Sequence, residues 1–303
     1  MLLLALLLQV GPNPLAGGLP DDALVRERPA RGVRGETPGE AEGAAKGAIN
    51  STSAWLEDCF DQIAADPARA HAMAQIRRAE TRGAERVLAN HCLGTAAAEL
   101  GRWDEARGAF AAAREETPPG EPRLRARFGA LSGNAALAAG DAEAALALLG
   151  AAEADARAAA DRLLEAIAAT DRARALVALG REGEALDALE TATTRAPERG
   201  EGWLLKATLL RRLARLAEAQ AAIEQAAALS PGDPLVGLEA GVIAMLGGRE
   251  AAARASWQSV LVIAADGPAA ETARAYLAQL GPEGDNGPAP TAPDSQPEER
   301  PEP

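Results

Sequence analysis

The sequence predicts an all-α protein built as a solenoid of helix–turn–helix repeats. Three observations carry that prediction. The stretch Gly200 to Asp233 reads as two amphipathic helices joined by a tight turn and closed by Pro231, which cannot continue a helix interior. Copies of it recur upstream and downstream at a period of about 34 residues. Apolar residues make up 48% of the 303-residue chain but aromatics only 3%, so alanine carries the apolar count, which suits close helix packing rather than a strand-rich core.

The central hairpin sets the pattern. Trp203, Ala207 and Leu210 form the stripe of its first helix, with Lys206 as the polar exception, and Ala219, Ile223 and Ala226 form that of the second. The small residues allow the axes to approach to roughly 8–10 Å. One such hairpin cannot bury its apolar face alone and needs neighbours on both sides. Ala166 to Arg199 repeats the pattern with Ala173, Gly180, Ala185, Leu189, Ala192 and Pro197; Pro234 to Gly267 does so with Gly241, Gly248, Ala253 and Trp257. Val87 to Gly120 supplies Leu93, Gly94, Gly101, Ala106, Phe110, Ala113 and Pro118, and Ala126 to Ala159 supplies Gly133, Gly140, Ala145, Leu149 and Ala152 after a short insertion around Pro119 to Arg125.

This pattern resembles the tetratricopeptide repeat, most closely in CLGTAAAELGRWDEARGAFAAAREETP. The aromatic usual in the middle of the first helix is replaced by Ala97, Ala136, Leu176, Leu210 and Ala244, yet five units stay in register. The chain is also similar to exported tetratricopeptide proteins of alphaproteobacteria. The resemblance implies a right-handed superhelix whose concave side is lined by first helices and takes up a peptide segment or a partner protein. Mapped onto this sequence, that groove holds His91, Thr95, Arg127, Asn134, Thr170, Arg174, Leu204, Thr208, Arg211 and Leu238. Arg127, Arg174 and Arg211 would then set a line of positive points for a partner with carboxylates in an extended segment, or else be exposed helix residues paired with nearby glutamates. His91 and Thr95 stand where family members that clamp a C-terminal carboxylate carry lysine and asparagine, which argues against that mode.

In chain order, Met1 to Val10 is an apolar run too short to span a bilayer. With residues 11–16 it is read as a signal peptide, although no basic residue precedes it and Pro14-Leu15-Ala16 is a poor cleavage site. The expected address is therefore periplasmic, or cytoplasmic if the run is not a signal. Residues 17–52 read as a disordered linker. Ser53 to Arg86 fits a degenerate first repeat, with Trp55, Leu56, Cys59, Phe60 and Ile63 on one face and a second helix starting at Pro67 and running through Met73, Ile76 and Ala79. Ala151 to Thr170 contains neither proline nor glycine, so its two helices either merge or meet in a longer turn. Repeats are placed near 53–86, 87–120, 126–159, 166–199, 200–233 and 234–267. Pro268 to Leu280 is a lone cap helix, with Leu277 and Leu280 inward and Arg274 outward, and residues 281–303 form an acidic, proline-rich disordered tail.

Functionally, the sequence predicts a non-catalytic scaffold. It has no phosphate loop, paired-histidine metal helix or Gly-x-Ser-x-Gly elbow. Its two histidines fall in different repeats, His71 read as a surface residue and His91 as a groove or interface residue, and no metal or cofactor is expected. The formal charge of −13 disfavours nucleic acid as a partner. A monomer is expected, with a self-associating structural protein of the cell envelope as the alternative. Cys59 and Cys92 fall on the first helices of consecutive repeats, neighbours in a tetratricopeptide stack, where they either bond or serve as two buried thiols.

Overall fold

The computed structural model describes residues 53–281, and every described helix belongs to one continuous stack. The segments read as signal peptide and linker (residues 1–52) and most of the expected tail (residues 282–303) lie outside the described residues. Among the described residues there are thirteen helices and no strand: α1 (Ala54–Ala65), α2 (Pro67–Glu80), α3 (Ala84–Glu99), α4 (Trp103–Glu116), α5 (Pro122–Ala138), α6 (Ala142–Ala158), α7 (Arg162–Ala178), α8 (Glu182–Arg195), α9 (Gly200–Arg212), α10 (Leu216–Leu229), α11 (Pro234–Leu246), α12 (Glu250–Ile263) and α13 (Pro268–Leu280). None is long and apolar enough to cross a membrane.

Each helix packs on the next in sequence, so α1/α2 through α11/α12 form six hairpins and α13 closes the stack. Small-to-large pairing sets the interhelix distance within a hairpin. Gly94 faces Phe110 so closely that an added Cβ would lie 2.6 Å from the ring, and Gly133 and Gly241 meet Leu149 and Trp257 in the same way. The hairpin turns are also alike. The first helix ends in a residue with positive φ, and the next amide returns to a carbonyl of the last turn, as in Arg102 N to Ala97 O, Asp141 N to Ala136 O, Arg181 N to Leu176 O and Arg249 N to Ala244 O. Glycine serves at 101, 140, 180 and 248, and Ala214 takes the left-handed conformation, at φ 58°, between α9 and α10; the first hairpin differs, turning through Asp66 in an extended conformation.

The structure refines three expectations. First helices begin at residues 54, 84, 122, 162, 200, 234 and 268, so the 34-residue step holds only from Gly200 onward. Upstream, α3, α5, α6 and α7 run to 16 or 17 residues, and Pro122 to Arg125 belongs to the first turn of α5 rather than to an insertion. The proline- and glycine-free stretch is broken at Ala160, left-handed at φ 53°, after which Asp161 caps α7 by accepting from Leu164 N at 3.0 Å. The first hairpin differs most. Its second helix buries Ala70, His71 and Ala74, whereas Met73 and Ile76 are 39% and 59% exposed. His71 is thus a buried residue, with Nε2 2.8 Å from Glu105 of α4.

Candidate functional site

The first helices α1, α3, α5, α7, α9, α11 and α13 meet one another in succession along one side of the stack, the α3–α5 junction through the rings of His91 and Phe128. The ten residues assigned to the groove all lie on these helices, and the structure separates them by what their polar atoms do.

Thr95, Thr170 and Thr208 donate their hydroxyls to the carbonyl four residues back in their own helices, those of His91, Ala166 and Leu204, at 2.8–3.0 Å. Thr170, Thr208 and Leu204 are buried, and Leu238 is a partly buried member of the C-terminal core. Asn134, Arg174 and Arg211 belong to a polar ladder that ties consecutive first helices, buried at its Asn134–Asp171 and Arg211–Glu239 rungs and half-buried at Arg174–Glu201. Asn134 of α5 donates to Asp171 of α7 at 2.9 Å; Arg174 pairs with Asp171 and reaches on to Glu201 of α9, which also receives Arg199 at 2.7 Å. One repeat further, Arg211 of α9 donates to Glu239 of α11 at 2.6 Å, the two side chains 0% and 2% exposed.

The ladder corrects the expected line of positive points. Arg211 is interior, and Arg174 spends its guanidinium on two carboxylates. The electrostatics agree with that placement. Burial raises the carboxyl pKa values of Asp171 and Glu239 against the pull of Arg174 and Arg211 respectively. Glu201, although burial works the other way, is held below the usual range by Arg174 and Arg199.

His91 takes the second of the two roles expected for it, that of an interface residue. Its imidazole is flanked by rings, with centroids 5.2 Å from Phe60, 6.4 Å from Phe110 and 5.2 Å from Phe128. Burial, aided by the positive charge of Arg127, lowers its pKa from 6.5 to about 3. It is a neutral packing element where three repeats meet. Directly behind it, Cys92 is joined to Cys59 of α1, the Cα atoms 6.2 Å apart.

A cleft between α7 and α9 stays open along the first-helix layer. Ala173, Val177, Leu205, Leu209 and Leu189 of α8 give it an apolar lining, with Thr208, Arg174 and Arg212 as its polar members, and it is open to solvent. Among the described residues Arg212 pairs with Glu182, at 3.1 Å, the side chains 39% and 35% exposed. Val177, Leu205 and Arg212 were absent from the sequence-derived groove, as were the ladder carboxylates Asp171, Glu201 and Glu239. A signal for the carboxylates exists: each lies 27 to 37 residues after its Asn or Arg partner, about one repeat away.

No protein-family model matches the sequence, and neither does any curated protein. Among solved structures, BtubC from P. vanneervenii is similar, with 17% identity over 81% of this chain and 94% of that one and a TM-score of 0.51. A thermophilic tetratricopeptide protein from Thermus thermophilus matches 62% of this chain and 95% of its own at 23% identity and a TM-score of 0.45. YrrB, a tetratricopeptide protein with an unusual peptide-binding site, matches 62% and 92% at 16% identity and a TM-score of 0.46. These likenesses concern the fold.

Proposed function

Starting from a chain whose fold is the tetratricopeptide solenoid, we propose that it is a non-catalytic scaffold that binds an extended segment of another protein along its first-helix layer. The α7–α9 cleft carries this reading. It is preformed and walled by aliphatic side chains, so an apolar side chain entering it sheds water without ordering the site first. Arg212 of the cleft is held by an exposed ion pair, which contributes at most about 1 kcal/mol and exchanges readily for a carboxylate of the partner. The occupant is then a peptide with an aliphatic anchor beside an acidic residue. This replaces the row of three arginines with a single exchangeable cation next to an apolar slot.

A peptide array tests this directly. Extended peptides pairing a leucine-class anchor with an adjacent Asp or Glu should bind, Leu205→Glu should abolish binding, and Glu224→Lys on the exposed side of α10 should leave it unchanged. Binding that survives Leu205→Glu and disappears with Glu224→Lys would move the site off the first-helix layer.

We read the protein as exported to the periplasm. The apolar run Met1 to Val10 supports this, and so does the Cys59–Cys92 bridge, a bond that persists in oxidising compartments. The self-associating alternative draws on Met73 and Ile76 at one end of the stack and Val262, 86% exposed, near the other. Light scattering decides between them: we expect a monomer, and a concentration-dependent oligomer would favour the alternative.

A further inference from the structure

We propose that α1 is a latch helix, held shut by the Cys59–Cys92 bridge and released when a dithiol reduces it. The inference stands on the packing of the first hairpin and does not depend on what the α7–α9 cleft binds.

Helix α1 is short and lightly held. It has 12 residues, buries only Leu56, Cys59 and Ile63, and packs on α2 and α3. Its other closures are an edge contact of Phe60 with His91, at 5.2 Å, and the Arg77 guanidinium 5.0 Å above the Trp55 ring. A helix of this length is marginal in water once detached. By contrast, α2 is anchored further into the stack, through His71 and Gln75 to Glu105 of α4 at 2.8 and 3.1 Å. The hinge therefore falls at Asp66, the single residue between α1 and α2.

The bridge closes a sequence separation of 33 residues, tying α1 to α3. With α2 and α3 still seated, lifting α1 frees only the chain between Cys59 and the hinge at Asp66, and on the chain-entropy account a cross-link over so short a loop shifts the open–closed balance by roughly tens-fold. Both cysteines are covered, Cys59 at 2% and Cys92 at 0% exposure, so reduction proceeds through brief lifting of α1. One thiolate of the dithiol attacks a cystine sulfur and releases the other as a thiolate. The second thiol of the reductant then displaces the mixed disulfide. The products are two protein thiols and an oxidised dithiol, with two electrons and two protons transferred. Without the bridge, α1 leaves its seat and uncovers the His91 imidazole at the N-terminal end of the first-helix layer.

Hydrogen exchange on the full oxidised chain, with and without dithiothreitol, tests the proposal. Amides of α1 should lose protection by roughly tenfold or more on reduction, while those of α2 to α13 change by less than about threefold. Cys59→Ala should reproduce the reduced pattern and make it insensitive to reductant. In parallel, the His91 imidazole resonance should stay that of a neutral ring to low pH when oxidised, and titrate at a higher pH when reduced. Equal protection of α1 in both redox states overturns the proposal. So does loss of protection spreading past Asp66 into α2 and α3, which would make the bridge a staple of the whole end rather than a latch.

Discussion

Replacing Arg211 by methionine tests the buried ladder at its most enclosed rung. The substitution keeps length and apolar volume but leaves the Glu239 carboxylate, 2% exposed, without its ion-pair partner. Removing one member of a buried pair typically destabilises by about 3–5 kcal/mol, because the remaining charge keeps its desolvation penalty and loses its compensation. Changing both, Arg211→Met with Glu239→Leu, removes the penalty together with the attraction and should come out within about 1–2 kcal/mol of the parent. Urea unfolding followed by fluorescence of Trp203, in the same hairpin, reads the difference as a midpoint shift, provided the slope is unchanged. Acid provides a second readout. In Arg211→Met, burial holds the Glu239 pKa above its unfolded value, so the folded state binds the extra proton and the deficit should shrink as pH falls through that raised pKa. The reasoning fails if the single variant costs under about 1 kcal/mol, or if the double variant is as unstable as the single.

Three further outcomes are expected. Gly94→Ala should destabilise by about 1–3 kcal/mol, since its Cβ would lie 2.6 Å from the Phe110 ring, and by much less in a Phe110→Leu background; equal penalties in both backgrounds would show that the ring is not the obstacle. The folded-state pKa of His91 lies below its unfolded value, so stability linked to it is intact above about pH 6.5 and is lost as pH falls toward 3. The pH slope of unfolding should therefore be steeper in the parent than in His91→Leu over that window, and parallel slopes would contradict the ring enclosure. Ala160→Gly should stabilise by up to about 1 kcal/mol, because alanine at φ 53° carries a steric penalty that glycine lacks; a loss in melting temperature would mean that flexibility gained in the unfolded chain dominates.

The hairpin architecture was legible because its signals are local and periodic: alternating small and large residues at fixed spacing, and glycine at four of the first-helix ends. Where the signal was substituted, legibility failed. The turn at Ala160 was hidden because an alanine does a glycine's task there, and the longer upstream helices blurred the repeat boundaries. The inner layer was harder to read. That Thr170 and Thr208 spend their hydroxyls on their own helices, and that Arg211 is interior, depends on partners in other turns or in the next repeat. A helical wheel of α9 alone shows Arg211 and Arg212 as adjacent polar residues; only Glu239, 28 residues on, draws one of them inside. Met73 and Ile76 mislead in the opposite sense, since the periodicity marks a face that no preceding hairpin covers among the described residues.

The ladder also bears on how such a chain can change length. Arrays of near-identical units grow or shrink by duplication and deletion, since any unit fits beside any other. Here the junctions from α1 to α11 differ in chemistry along the chain: a cystine between α1 and α3, rings between α3 and α5, amide to carboxylate between α5 and α7, and guanidinium to carboxylate, from different turns, at the next two. Excising the α9–α10 hairpin would set α7 against α11, leaving Glu239 without Arg211 and Arg174 without Glu201. The hairpins are therefore not interchangeable, and their order along the chain is fixed by the matching of neighbours.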